Sequence, residues 1–303
     1  MPGPQSADPV LQLRGVTQEF PGRRRGVLRR RTPPDQPLAG LDLTVQAGEV
    51  AWVVAADATH AALTGILAGA APNAGSVLLS GRDVTRRSRR QRARLARQLV
   101  VLGGAGDALD VAGVDSVIAT LPAVLVLDLA GASEASEDFV DSAMGAAEQG
   151  IAVLVLDRLL PTPAMAAGGV HVLCGGRLVE VLGGDDLAEP MHPYARLLVR
   201  PADAGAESPD GETLNVEALP AALPAPQGGC PWRASCELAQ ARCAREMPGL
   251  ERPLGATHAV ACHFPVVQPP AHPRTAVVPP GAQRAAGEPA FADEPTAREF
   301  VDS

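Results

Sequence analysis

The 303-residue sequence contains no lysine; all 26 of its basic residues are arginine. That absence excludes Schiff-base catalysis, attachment of pyridoxal phosphate, and the lysine that reaches the β- and γ-phosphates in a phosphate-binding loop. Arginine is a poor substitute there, because its planar fork is bulkier than a compact ammonium. Aromatic residues are scarce, with 2 Trp, 1 Tyr and 5 Phe, which leaves little for stacking on single-stranded nucleic acid. No run approaches the roughly 18 apolar residues of a membrane span. The first ten residues lack the charged and then apolar order of a signal peptide, so a cytoplasmic protein is expected. In that setting five cysteines favour metal or cluster ligation over disulfides.

What is present begins with a hydrophobic content of 46%, ample for a buried core. The net charge of -8 is unevenly spread: residues 1–100 hold 15 Arg against 7 acids, and the remainder 11 Arg against 27 acids. Arg86, Arg87, Arg89, Arg90, Arg92, Arg94 and Arg97 are crowded together, after earlier triplets at Arg23 to Arg25 and Arg29 to Arg31. Without interleaved aromatics, they read as a solvated helix face and an exposed loop, and no nucleic acid partner is expected.

Three continuous apolar runs, Val50 to Ala55, Val124 to Leu129 and Val153 to Asp157, predict strands covered on both faces of an α/β sheet. Helices are expected over Ala61 to Gly69 and Glu137 to Gln149. Leu11 to Val16 and Leu41 to Val45 alternate and predict antiparallel strands, with Gly48-Glu49 as a turn. Val170 to Cys174, Gly175-Gly176 and Arg177 to Val181 form a hairpin signal. Composition divides the chain into a domain over 11–200, a Pro-rich acidic linker over 201–227, a cysteine-rich segment over 228–264 and a tail over 265–303, expected to be disordered.

The order of these segments resembles the ATP-binding subunit of ABC importers, in the oligopeptide, dipeptide and nickel branch. The resemblance rests on Leu38 to Val45 with Gly48-Glu49, Pro72 to Val77, Ser80 to Val84, Pro122 to Asp128 as a Walker B strand, Gly169 to Glu180 as the late hairpin, and His192-Pro193-Tyr194 with Arg196-Leu197-Leu198. It implies an α/β, P-loop NTPase-like nucleotide-binding domain that docks on membrane permease subunits at the inner face of the membrane. By family position, the nucleotide would meet Phe20, Thr59, His60 and Asp128.

The departures concentrate at that site. A phosphate loop needs glycines so that backbone N–H groups can turn inward, but the stretch reads Ala55-Ala56-Asp57-Ala58-Thr59-His60-Ala61-Ala62. His60 reads most simply as a surface histidine, and Asp128 as a structural strand-end carboxylate. Leu129 follows Asp128 where a catalytic glutamate would polarise water, and a hydrocarbon cannot accept that proton. Val101 to Gly104 replaces the Q-loop glutamine, Val155 to Asp157 lacks the switch histidine, and no LSGGQ signature occurs. Only 18 residues lie between Gly103 and Pro122, so a reduced helical subdomain is expected. These losses predict weak or absent ATP binding, no catalytic residue, and an accessory pseudo-ATPase working beside an intact ABC ATPase partner. The alternative is a free-standing iron-sulfur or metal-binding protein on a retired ABC scaffold.

Cys230, Cys236, Cys243 and Cys262 are spaced C-x5-C-x6-C-x18-C. Four soft thiolates in so short a segment can wrap one metal centre, without the C-x2-C knuckles of a common zinc ribbon. The resemblance implies a 4Fe-4S cluster; structural zinc and unligated thiols are the other readings. His263 is expected at the surface or behind a ligand, and Cys174 as a small buried hydrophobe.

Overall fold

The computed structural model describes residues 9–21, 35–88, 90–91, 97–103, 110–129, 137–166, 168–199 and 228–267. All of them fall within one compact unit, Met1–Val267. The linker over 201–227, the tail from 268 onward, both early arginine triplets, Arg89, Arg92 and Arg94 lie outside the described residues.

Two sheets carry the fold. Strands β1 (Leu11–Phe20), β2 (Asp35–Val45), β4 (Ala74–Leu79) and β5 (Arg82–Asp83) form an antiparallel sheet in the order β2-β1-β4-β5. The second sheet has seven strands: β3 (Val50–Ala55), β6 (Leu99–Gly103), β7 (Val124–Asp128), β8 (Ala152–Asp157), β9 (Val170–Cys174), β10 (Arg177–Leu182) and β11 (Ala259–Val260). Their order is β11-β10-β9-β3-β8-β7-β6. From β9 to β6 all neighbours are parallel, while β10 and β11 run antiparallel at one edge.

Side-chain alternation along the parallel strands builds two cores from one sheet. Ala51, Val53 and Ala55 of β3 pack with Leu63 and Ile66 of α1 (Asp57–Leu67) and with the antiparallel sheet through Leu11, Leu13 and Val77. Val50, Trp52 and Val54 point the other way, toward Val114 of α2 (Val111–Ile118) and Phe139 and Val140 of α3 (Glu137–Glu148). Between β6 and β7 the described residues contain α2 alone, whose N-cap Asp110 accepts from the Gly113 N–H.

The apolar runs become strands where expected. The largest difference lies at the front of α1, which begins at Asp57 and not near Ala61. Alanine is the strongest helix former and no glycine interrupts the run, so the stretch read as a loop continues the helix backward. Composition also hides how the cysteine segment is attached. Its β11 adds to the edge of the main sheet, the Ala261 N–H donates to the Val179 carbonyl (2.7 Å), and the Val266 N–H donates to the Met191 carbonyl (2.9 Å).

Candidate functional site

At the carboxyl end of β3 a single residue, Ala56, connects strand to helix, in extended conformation and with no side-chain cap. A phosphate-wrapping loop needs several residues outside regular structure; here Asp57 onward is already helical. His60 follows one turn into α1, and its N–H donates to the Ala56 carbonyl (2.9 Å).

The buried side chain of His60 spans to the next layer. Its Nε2 lies 2.7 Å from Oδ1 of Asp128, the last residue of β7, while the Thr64 hydroxyl donates to Oδ2 at 2.9 Å. His60 is 6% exposed and Asp128 3%. His60 is therefore an interior residue and not the surface histidine expected from sequence, because Asp128 offers the carboxylate that makes its burial tolerable. Thr64 belongs to no motif of the sequence; its position four residues after His60, on the same helix face, is the signal that places it here. Nδ1 of His60 is buried with no hydrogen-bond partner among the described residues.

Of the four nucleotide positions expected from sequence, the fold joins His60 and Asp128. Thr59 is buried on the same helix, and Phe20 sits half-exposed at the end of β1, opposite Asp35 in the other sheet. The carboxylate of Asp157, closing β8 beside Asp128, accepts from the Arg158 N–H at 2.6 Å.

The second constellation lies across the sheet. Cys230, Cys236, Cys243 and Cys262 all line one pocket, together with His192 and His263. Gly229 makes the approach possible: its φ of +68° and the Cys243 carbonyl, into which a Cβ would run, admit no side chain. The Cys230 N–H then donates to that same carbonyl (2.8 Å). Trp232, 6% exposed, anchors the turn against Tyr194 with ring centroids 5.2 Å apart.

Burial pushes the Cys262 thiol up to about 11, and the proximity of Cys230, Cys236 and Cys243 adds to it. Cys230 is raised by burial and then by Cys236 and Cys243. Four thiols thus share one concavity. Among the described residues, no group of three or more His, Cys, Asp or Glu is drawn close enough to hold a metal ion. The four cysteines of this pocket are soft donors, the type of side chain that thiophilic metal centres select. Cys174 is fully buried in the core behind them, its thiol raised by burial and then by Cys230. His263 Nε2 lies 3.0 Å from the Glu246 carbonyl.

His192 precedes α4 (Pro193–Arg196) and is 1% exposed. Its Nδ1 accepts from the Tyr194 N–H (3.0 Å), and its Nε2 lies 3.9 Å from Cys230 Sγ. Burial lowers its pKa to about 4. Below it, the fully buried Glu180 accepts from the N–H groups of Met191 (2.6 Å) and His192 (3.0 Å) and meets His258 Nε2 at 2.7 Å. Asp186 approaches the other ring nitrogen of His258 at 3.4 Å and accepts from Thr257. Burial pushes His258 down, but the hydrogen bond and charge of Glu180, with those of Asp186, outweigh it and leave the imidazole above its ordinary value. This network ties the cysteine segment to β10; no motif in the sequence announced it.

No family model matches the chain. Over 130 residues it is 35% identical to a protein of Sinorhizobium fredii described as "Probable peptide ABC transporter ATP-binding protein y4tS". The stretch covers 41% of this chain and 35% of that protein, so the chain spans about a third of its relative's length. The chain is similar, over that stretch, to an ABC transporter ATP-binding protein. Among solved structures, the cbiO1 protein of Clostridium perfringens, part of the ABC transporter complex cbiONQ, aligns with a TM-score of 0.44 and 12% identity, over 63% of this chain and 93% of that one. MJ0796, a bacterial ABC transporter cassette, aligns with a TM-score of 0.43 and 13% identity, over 57% of this chain and 98% of that one. No helix among the described residues is long and apolar enough to cross a membrane.

Proposed function

We propose that this chain is an ATP-binding-type subunit of a peptide-importing ABC transporter whose own nucleotide site is closed, and which serves as an accessory subunit without hydrolysis. The observation that carries the reading is the His60–Asp128 pair behind a one-residue strand-to-helix junction. The helix begins where phosphates would need a loop, and the carboxylate that would hold magnesium is engaged by His60 and Thr64. Opening the site would forfeit the contacts of Asp128 with His60 and Thr64, and losing one partner of a buried pair costs about 3–5 kcal/mol. A ligand held at millimolar concentration gains only about 4 kcal/mol, so opening the pair would consume the whole of it.

Membrane permease subunits and an intact ABC ATPase are the partners this reading assigns, with the chain at the cytoplasmic face of the membrane. The cysteine segment would hold a 4Fe-4S cluster, with Cys230, Cys236, Cys243 and Cys262 as ligands. That centre would cross-link a stretch whose core consists of little more than Trp232 and its neighbours. The same four-thiol pocket favours a second reading, a free-standing iron-sulfur or zinc protein on an ABC scaffold.

Affinity purification of the full chain from its native cells separates the two. Recovery of a permease and a second, lysine-containing ATPase supports the accessory subunit. A metal-loaded chain that recovers neither supports the free-standing protein. Saturable micromolar ATP binding by the isolated chain would overturn the closed-site claim.

A further inference from the structure

We propose that His192 is a positioning residue of the cysteine site, donating its Nε2–H to the sulfur of Cys230 in the metal-loaded protein. The inference rests on the reading of the four cysteines as ligands of a bound centre.

A backbone N–H can only donate, so the Tyr194 N–H at 3.0 Å from Nδ1 requires a lone pair there. A neutral imidazole then carries its proton on Nε2. That nitrogen faces Cys230 Sγ at 3.9 Å, and His192 forms part of the wall of the pocket that the four cysteines line. The proton is therefore directed at a ligand sulfur by a bond made on the opposite side of the ring.

The ring has little freedom to turn away. It is 1% exposed, stacks edge-on against Tyr194 with centroids 6.5 Å apart, and its backbone N–H is fixed by Glu180 Oε2 at 3.0 Å. Glu180 also meets His258, four residues before Cys262. One carboxylate thus sets both the donor behind Cys230 and the strand that delivers another ligand. A hydrogen bond to a ligand sulfur withdraws charge from it and favours the reduced, more negative state of a cluster.

Two measurements on the full chain test this. With 15N-histidine labelling of the diamagnetic zinc-loaded protein, the expected two-bond correlation pattern places the His192 proton on Nε2; a proton on Nδ1 overturns the inference. After anaerobic iron and sulfide reconstitution, His192→Phe, which keeps the ring but has no N–H, is expected to shift the midpoint potential to more negative values. His192→Gln, which retains an acceptor and a donor, is expected to stay near the wild type. An unchanged potential in His192→Phe overturns the inference. If that variant fails to fold, the wild-type tautomer still decides. A wild-type chain that takes up zinc but no iron overturns the cluster reading alone, and the Nε2 proton of the zinc form remains the deciding readout for His192.

Discussion

His60 and Asp128, 68 residues apart in the chain, meet through a 2.7 Å contact between Nε2 and Oδ1. The pair joins the first turn of α1 to the end of β7, with Thr64 on the second carboxylate oxygen. A carboxylate buried to 3% exposure is tolerable only with such partners. Two of the four positions that the family resemblance assigns to a nucleotide are thus bonded to each other.

Removing the imidazole should therefore be costly. His60→Ala is expected to destabilise the fold by about 3 kcal/mol, the lower end for breaking a buried pair. Urea denaturation measures it, and in a double-mutant cycle Asp128→Asn should lose much of its own effect when His60 is already absent.

Trp232 should be the anchor of the cysteine segment. It packs on Tyr194 in the same core as Trp52 and Val172. Trp232→Ala is expected to cost about 3–5 kcal/mol, as large-to-small core changes do. Proteolysis should then cut first within residues 228–267.

Two histidines should give opposite pH dependences. Burial lowers the pKa of His171, against a bond to the Trp52 carbonyl. Its contribution is present above the unfolded value of about 6.5 and is lost as pH falls below it. His258 is raised, so the stability it adds is full below about 6.5 and is lost as pH rises through its folded value. Comparing the wild type with His171→Gln and with His258→Gln in thermal melts from pH 5 to 9 should show differences that shrink at the acid end for the first and at the alkaline end for the second.

Metal content should follow the four pocket cysteines and not the fifth. Serine at Cys230, Cys236, Cys243 or Cys262 is expected to lower bound metal, while Cys174→Ala, in the core outside the pocket lining, leaves it unchanged. Iron and acid-labile sulfide analysis after anaerobic purification identifies a cluster; zinc without sulfide identifies the alternative. Chelation should lower the melting temperature in either case.

The fold was legible wherever periodicity was local. The runs at Val50, Val124 and Val153 became central strands because unbroken apolar stretches this short and rich in valine suit a doubly covered sheet. The hairpin around Gly175-Gly176 appeared for similar reasons. Legibility failed where long-range pairing decides. His60 reads as a surface residue until β7 brings Asp128 beneath it, and Glu180 reads as an ordinary strand residue until His258 arrives 78 residues later. At the strand-to-helix junction, expectation of a loop overrode a simpler signal, the helix propensity of alanine at Ala58, Ala61 and Ala62. The cysteine spacing suggested a shared centre but gave no sign that His192 would stand behind Cys230.

Calorimetric titration of the purified chain with magnesium and ATP tests the central claim most directly. A closed site predicts no saturable heat up to millimolar nucleotide, with His60→Ala no better than the wild type, since the junction at Ala56 still lacks a loop. Binding at micromolar concentration, abolished by Asp128→Asn, would contradict it.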